Sequence, residues 1–261
     1  MKDRPARGGP QAGSARAVDY GSYLALDQLL ALQRPRSHPE HPDELLFIIV
    51  HQASELWFKA ILHEFDGLID RLGRADAPAA LQAVKRINGL VGIVSNQLSA
   101  LDTLPPQRFA QFRGYLGSSS GSQSAQFRAI EAVSGLRDPH FMHALAAHGL
   151  LPELVVRALE RPTLQALFGA LLDAHGVTIE QVYADDAQAT LLLLAEELLQ
   201  YEQGFARWRF LHVQLVERII GPGTSGTGGT LGAQYLQKTI TQRFFPDLWA
   251  VRAKFYGGVK A

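Results

Sequence analysis

The sequence predicts an all-α bundle with long antiparallel helices. Apolar residues recur at helical spacing along most of the chain, no segment alternates apolar and polar residues, and two long stretches run almost without a helix breaker. The first element is expected over 22–33 (SYLALDQLLALQ), where Leu26, Leu29 and Leu30 share a face and Ser22 stands at the capping position. Pro35, Pro39 and Pro42 then interrupt the chain. From Asp43 to about Leu72 there is no proline and one glycine, Gly67, with Phe47, Ile48, Trp57, Phe58, Ile61, Leu62, Phe65 and Leu68 along the run. LLFIIV at 45–50 would suit a buried strand in isolation, but its continuation through ELWFKAILHEF is too long for one.

The next helix is expected over 78–101, opened by Pro78 in its first turn and closed off by Pro105 and Pro106. Shorter helices follow at 107–116 and 123–134, around a polar elbow, GSSSGSQS, at 117–124. Further helices are expected at 139–147, 152–160, 163–174 and 178–183. Asp185 or Asp186 caps a last long helix running to about Ile220, roughly 50 Å at about 1.5 Å per residue. A Gly-rich stretch, 221–232, precedes helices near 233–243 and 246–254. With no internal repeat and no linker, residues 19–261 read as a single helical domain.

Residues 1–18 hold Lys2, Arg4, Arg7 and Arg16 among prolines and glycines, with no apolar run behind them. They predict a mobile tail rather than a secretory leader. Apolar runs such as LLLLA at 191–195 fall far short of a bilayer span, so a cytoplasmic protein with no membrane partner is expected. Lys plus Arg and Asp plus Glu are 25 each, so no field draws the chain to nucleic acid. The absence of cysteine excludes disulfides, thiolate catalysis, iron–sulfur clusters and zinc–cysteine sites. Only Met142 lies beyond the initiator, which leaves metal chemistry to nine histidines and the carboxylates.

Two histidines stand out. His212 has Phe205, Trp208, Leu215, Val216 and Ile219 as helical neighbours. On such a face it is either a buried imidazole bonded to a backbone carbonyl or an axial ligand to haem, whose flat apolar macrocycle needs such a surface. His51 has Phe47, Ile48 and Phe58 on one side and Ser54 and Glu55 one turn on. It is either paired with Glu55 at i+4 or a ligand or hydrogen-bonding group in a pocket. The Glu-x-x-His pairs of di-iron bundles and the HExxH motif are absent.

Arg113 lies among Phe109, Phe112, Tyr115 and Leu116. Its fork suits a carboxylate, and its stem equally suits packing on aromatic rings. The stretch GPGTSGTGGTLG at 221–232 has no P-loop ending and follows no strand. It is either a connector or a lid whose amides and Thr227 hydroxyl close over a polar ligand. Trp57, Trp208 and Trp249 read as core.

Five segments in order now bear a resemblance: YGSYLALDQLL at 20–30, LLFIIVHQASELWFKAILHEFD at 45–66, FAQFRGYLGSSSGSQSAQFRAIE at 109–131, RWRFLHVQLVERIIG at 207–221, and GTGGTLGAQYLQKT with RFFPDLWAVR near the end. The chain resembles bacterial tryptophan 2,3-dioxygenases along most of its length. That resemblance implies a helical homotetramer carrying one haem b per subunit, ferrous when active. It implies opening of the indole ring of L-tryptophan with O₂ to N-formylkynurenine, the first step of the kynurenine pathway. By motif, it makes His212 the iron ligand and His51 the residue at the indole N–H. Phe47, Phe109 and Leu116 become pocket walls, and Arg113 the clamp on the substrate carboxylate. On the same resemblance Thr227 would contact the amino-acid end, Ser120 would lie near the haem edge, and Tyr20 and Tyr23 would reach into a neighbouring subunit's site. Phe109 stands where bacterial members often have tyrosine, which removes a hydroxyl and keeps the ring. The GPGTS stretch is one residue longer than the family pattern.

Overall fold

The computed structural model describes residues 18–137, 151–224 and 233–256, the side chains of 233–235 excepted. The expected helix at 139–147, residues 1–17 of the expected tail and Thr227 lie outside the described residues. Among those described, all regular structure is helical.

Two compact units divide the chain, Met1–Arg34 and Pro35–Ala261. The first holds two short helices, α1 (Tyr20–Leu24) and α2 (Leu26–Leu29), where one was expected over 22–33. Ala25 breaks the run by adopting a left-handed backbone, φ 49°, uncommon for a residue with a Cβ. The cap is Asp19, not Ser22. The Asp19 carboxylate accepts from the Ser22 N–H at 2.8 Å, and Ser22 Oγ accepts from the Asp19 N–H at 3.1 Å, a reciprocal pair that satisfies two donors at once.

The second unit contains α3 (Glu44–Gly73), α4 (Ala77–Gln97), α5 (Pro106–Arg113), α6 (Ala125–Ser134), α7 (Glu153–Glu160), α8 (Leu164–His175), α9 (Ile179–Ala184), α10 (Ala189–Ile220), α11 (Ala233–Thr239) and α12 (Pro246–Tyr256). LLFIIV is the first two turns of α3, not a strand. α3 is long and apolar enough to cross a membrane by length and composition. Its residues Phe58, Ile61, Phe65, Leu68 and Leu72 nevertheless pack into the protein core, at the 3-and-4 spacing of one helix face. The helix expected to reach 101 ends at Gln97 and tightens into a 3₁₀ turn, Leu98–Thr103. Asp185 caps the short 3₁₀ turn Asp186–Gln188, accepting from the Ala187 N–H at 2.9 Å, so α10 starts at Ala189 without a side-chain cap. α11 stops at Thr239, short of the expected 243.

Three long helices form the frame. α3 runs antiparallel to α4, with Ser54 beside Gln97 (2.6 Å) and Glu64 beside Arg86 (3.5 Å). It also runs antiparallel to α10, with Phe58 on Trp208 and Phe65 on Tyr201 at ring distances of 6.3 and 5.7 Å. α4 and α10 are therefore parallel. Asn88 Nδ2 donates to the Glu197 carbonyl at 3.0 Å, and a Cβ added at Gly204 would meet Val91 Cγ1 at 2.9 Å. Gly204 lets the two backbones approach where alanine would force α4 outward.

Two apolar clusters result. The larger joins α3, α4, α6, α8 and α10. The smaller, at the opposite end of α10 from Ala189, holds Val50, Leu98, Leu101, Leu104, Phe109, Phe112, Leu215 and Ile219. Buried charges bind the larger one. Glu131 of α6 takes Arg128 at 2.7 Å and Arg209 of α10 at 3.1 Å, all three at most 6% exposed. Arg209 also donates to the Thr239 carbonyl at 3.3 Å. Glu202 accepts from Arg243 (3.0 Å), from the backbone N–H groups of Phe244 (2.7 Å) and Phe245 (2.8 Å), and from Trp249 Nε1 (2.6 Å). Every lone-pair direction of that carboxylate is used, which makes its burial tolerable.

Candidate functional site

The site starts from the N-terminal end of α3. Burial would raise the Glu44 carboxyl, but three hydrogen bonds to it prevail and hold it below its ordinary range. These come from Ser37 Oγ (2.5 Å) and the N–H groups of Arg36 (2.7 Å) and Ser37 (3.0 Å). They fold the loop before α3 onto its first turn. α5 is then pinned to the same region. Arg108 pairs with Asp43, His41 Nε2–H donates to Gln111 Oε1 at 2.9 Å, and Tyr115 Oη–H donates to the His38 carbonyl at 3.0 Å.

This docking brings three expected pocket walls together. Phe47 lies 5.5 Å from Phe109 and 5.7 Å from Phe112, ring to ring, and Leu116 packs against the same cluster. Arg113, half-buried, follows Phe109 by one turn of α5 and so rises from the same side.

His51 meets this cluster directly, and His212 stands beside Trp208, which packs against it. The His51 ring lies 4.2 Å from the Phe47 ring, and its Nδ1 is 2.7 Å from the Phe47 carbonyl oxygen. A carbonyl can only accept, so Nδ1 carries the proton and Nε2 is left as a lone pair. Glu55, offered by spacing as its partner, instead accepts from Gln126 Nε2 at 2.7 Å. Desolvation lowers the His51 pKa, although the residue stays exposed to solvent. An accessible ring hemmed in by protein describes the wall of a recess.

His212 lies on α10, stacked on Trp208 at 5.2 Å and 14°. Burial first, and then a charge on His51, push its pKa down to about 4. The two imidazoles stand on antiparallel helices, close enough for charge on His51 to be felt at His212. Among the described residues His212 has no hydrogen-bond partner, so a neutral imidazole with a free lone pair stands there at pH 7. Among the same residues no three His, Asp or Glu side chains converge on a metal position. A metal held by His212 must bring its other ligands with it, as a macrocycle does.

The stability of the protein should register this in acid. The folded pKa of His212 lies below its unfolded value of 6.5, so between the two the unfolded chain binds the extra proton. Stability is whole above pH 6.5 and falls as pH drops toward 4, by about 3 kcal/mol at most, since water reaches part of the ring. Denaturant melts at pH 7, 5.5 and 4.5 should show this loss in the parent and a smaller one in His212→Leu. Parallel curves for the two proteins would count against His212 as its source.

Ser120 caps the turn Gly121–Gln123, its Oγ 2.9 Å from Ser122 Oγ, and no described contact takes it to either histidine. Tyr20 and Tyr23 stand 76% and 77% exposed in the first unit. Trp208 was expected only in the core. It lies against both apolar clusters, and its buried Nε1–H has no partner among the described residues. A separate groove of about 540 Å³ on α10 is lined by Ser95, Asp102, Arg207, Gln214 and Arg218, floored by Leu98 and Leu215.

The family model described as tryptophan 2,3-dioxygenase matches residues 5–148 and 152–255. Among the most similar relatives is a tryptophan 2,3-dioxygenase of Herpetosiphon aurantiacus, 43% identical, covering 92% of this chain and 99% of the relative. Proteins of the same name from Anaeromyxobacter sp. strain K and Caulobacter vibrioides are 41% and 38% identical, covering 93% and 92% of this chain and 98% and 99% of those relatives.

Proposed function

The chain belongs to the tryptophan 2,3-dioxygenase family, and from that premise we propose that the recess between His51 and His212 holds haem b and presents L-tryptophan to it. The protein is an oxidoreductase of tryptophan catabolism that oxidises tryptophan with O₂. The observation that carries the haem reading is His212 itself: neutral, unbonded, on an apolar face, with no protein cage around it. The unpartnered Trp208 N–H beside it adds a polar atom that the protein alone leaves unmatched. When bound, ferrous haem supplies the site at which O₂ is activated for insertion into the indole ring.

The chain's own residues position the substrate. Phe47 and Phe109 flank the flat indole, and Leu116 closes the apolar wall. His51, with its proton fixed on Nδ1, offers Nε2 as acceptor to the indole N–H. That bond orients the ring. Arg113, one turn beyond Phe109, holds the substrate carboxylate through its fork. Thr227 and the Gly-rich stretch contact the amino-acid end, and Ser120 meets the haem edge. The product is N-formyl-L-kynurenine. The assembly is a homotetramer in which Tyr20 and Tyr23 complete a neighbour's site, a role their exposure suits.

The test is the absorption spectrum of the reduced, haem-supplemented protein as L-tryptophan and air are added. Growth of formylkynurenine absorbance on a haem-bearing protein supports the reading, and a protein that takes up no haem overturns it. Arg113→Ala should retain haem and raise the KM for tryptophan at least about tenfold, as loss of a charge-assisted contact of about 1.5–3 kcal/mol requires. Unchanged tryptophan affinity would remove Arg113 from the clamp.

A further inference from the structure

A histidine that ligates a metal normally donates its second ring N–H to a carboxylate, a carbonyl or a water, and that bond fixes the ring plane. His51 has such a bond, to the Phe47 carbonyl. Among the described residues His212 has none, and without one its ring is free to turn about χ2. What it has instead is Trp208. The indole lies one turn back on α10, 5.2 Å away and within 14° of parallel, so rotation of the imidazole is blocked by the larger ring.

Trp208 is itself wedged. Phe127 of α6 stands 4.8 Å from it, ring to ring, and Phe58 of α3 meets it edge-on at 6.3 Å. The residues next to Phe127 and Trp208 in sequence, Arg128 and Arg209, are the two arginines that share Glu131. The α6–α10 contact is therefore clamped beside the stack. Three helices converge on one indole, and the indole sets the plane of one imidazole.

We propose that Trp208 is the positioning residue for the ligating imidazole, its stacked ring replacing the hydrogen bond that ordinarily orients a metal-bound histidine. The proposal rests on the haem reading above. Orientation by stacking fixes the plane without adding electron density to the imidazole, so His212 is held firmly and remains a neutral ligand. Trp208 touches neither substrate nor reacting atoms in this role.

The test uses haem-loaded ferrous protein and reads the iron–histidine stretching band by resonance Raman, with the haem dissociation rate and steady-state kinetics beside it. In Trp208→Leu the band should broaden or shift and haem should leave at least about tenfold faster, the scale of a lost orienting partner. The kcat should fall while the KM for tryptophan holds. Trp208→Phe keeps a stacking ring and should restore the band and the rate. Should Trp208→Leu fail to fold, Phe127→Leu and Phe58→Leu loosen the wedge behind the indole and must broaden the same band. A wild-type band and haem rate in Trp208→Leu, or identical bands in all variants with only a lower melting temperature, overturns the proposal. Parent protein that takes up no haem would sink the haem reading instead, so the two failures are distinct.

Discussion

His212→Ala should purify folded and without haem. Reconstitution should fail at concentrations that fill the parent, with haem affinity down by more than about a hundredfold, the upper end of what loss of a mere orienting partner costs. Turnover should vanish with it. The reasoning is that no second protein ligand stands ready, since the described residues offer no other convergent metal donors. The fold should survive, because a half-buried neutral histidine with no hydrogen bond contributes little beyond packing. Added imidazole, which fits the space the side chain leaves and stacks on Trp208, should return part of the haem band. A variant that keeps haem and activity without imidazole would displace His212 from the centre of the site.

The largest loss of stability is expected at Glu131. Glu131→Ala leaves Arg128 and Arg209 buried without their shared counter-charge, a change that costs about 3–5 kcal/mol. For a protein of this size the melting temperature should drop by roughly 10 °C or more. Replacing all three by apolar residues of similar volume, Arg128→Met, Glu131→Leu and Arg209→Met together, should recover much of that loss. The single variant melting with the parent would show that the two arginines find other partners. The triad also ties α6 to α10 and, through the Thr239 carbonyl, to α11. A protein weakened here should lose haem sooner than its global stability alone requires.

The positions that sequence pattern reached are those whose signal is local. Phe47 and His51 sit in a short motif on α3, Phe109 and Arg113 in one on α5, and the structure gathers the first three into one ring cluster with Arg113 one turn beyond Phe109. Ala25 escaped the pattern because its left-handed backbone interrupts a run whose apolar spacing is unbroken. Packing also separates the two arginines of RWR, Arg207 and Arg209. Arg209 shares a stripe with Glu202, Phe205 and Val213 and is buried, while Arg207 points to solvent.

Sequence alone determined the all-helical class, the extent of the long helices to within a few residues, the apolar face of His212 and the family. Each follows from residue type and period, which the chain carries along its own length. Tertiary structure alone decided that α4 and α10 run parallel, that Glu55 serves Gln126 rather than His51, and that His51 keeps its proton on Nδ1. It also turned Trp208 from a core residue into the ring on which His212 rests. The first two outcomes depend on which groups meet across tens to more than a hundred residues, whereas the His51 and Trp208 contacts span one helical turn and are set by how the surrounding helices fix the side chains. Both kinds of contact are chosen by packing, and no local period encodes them.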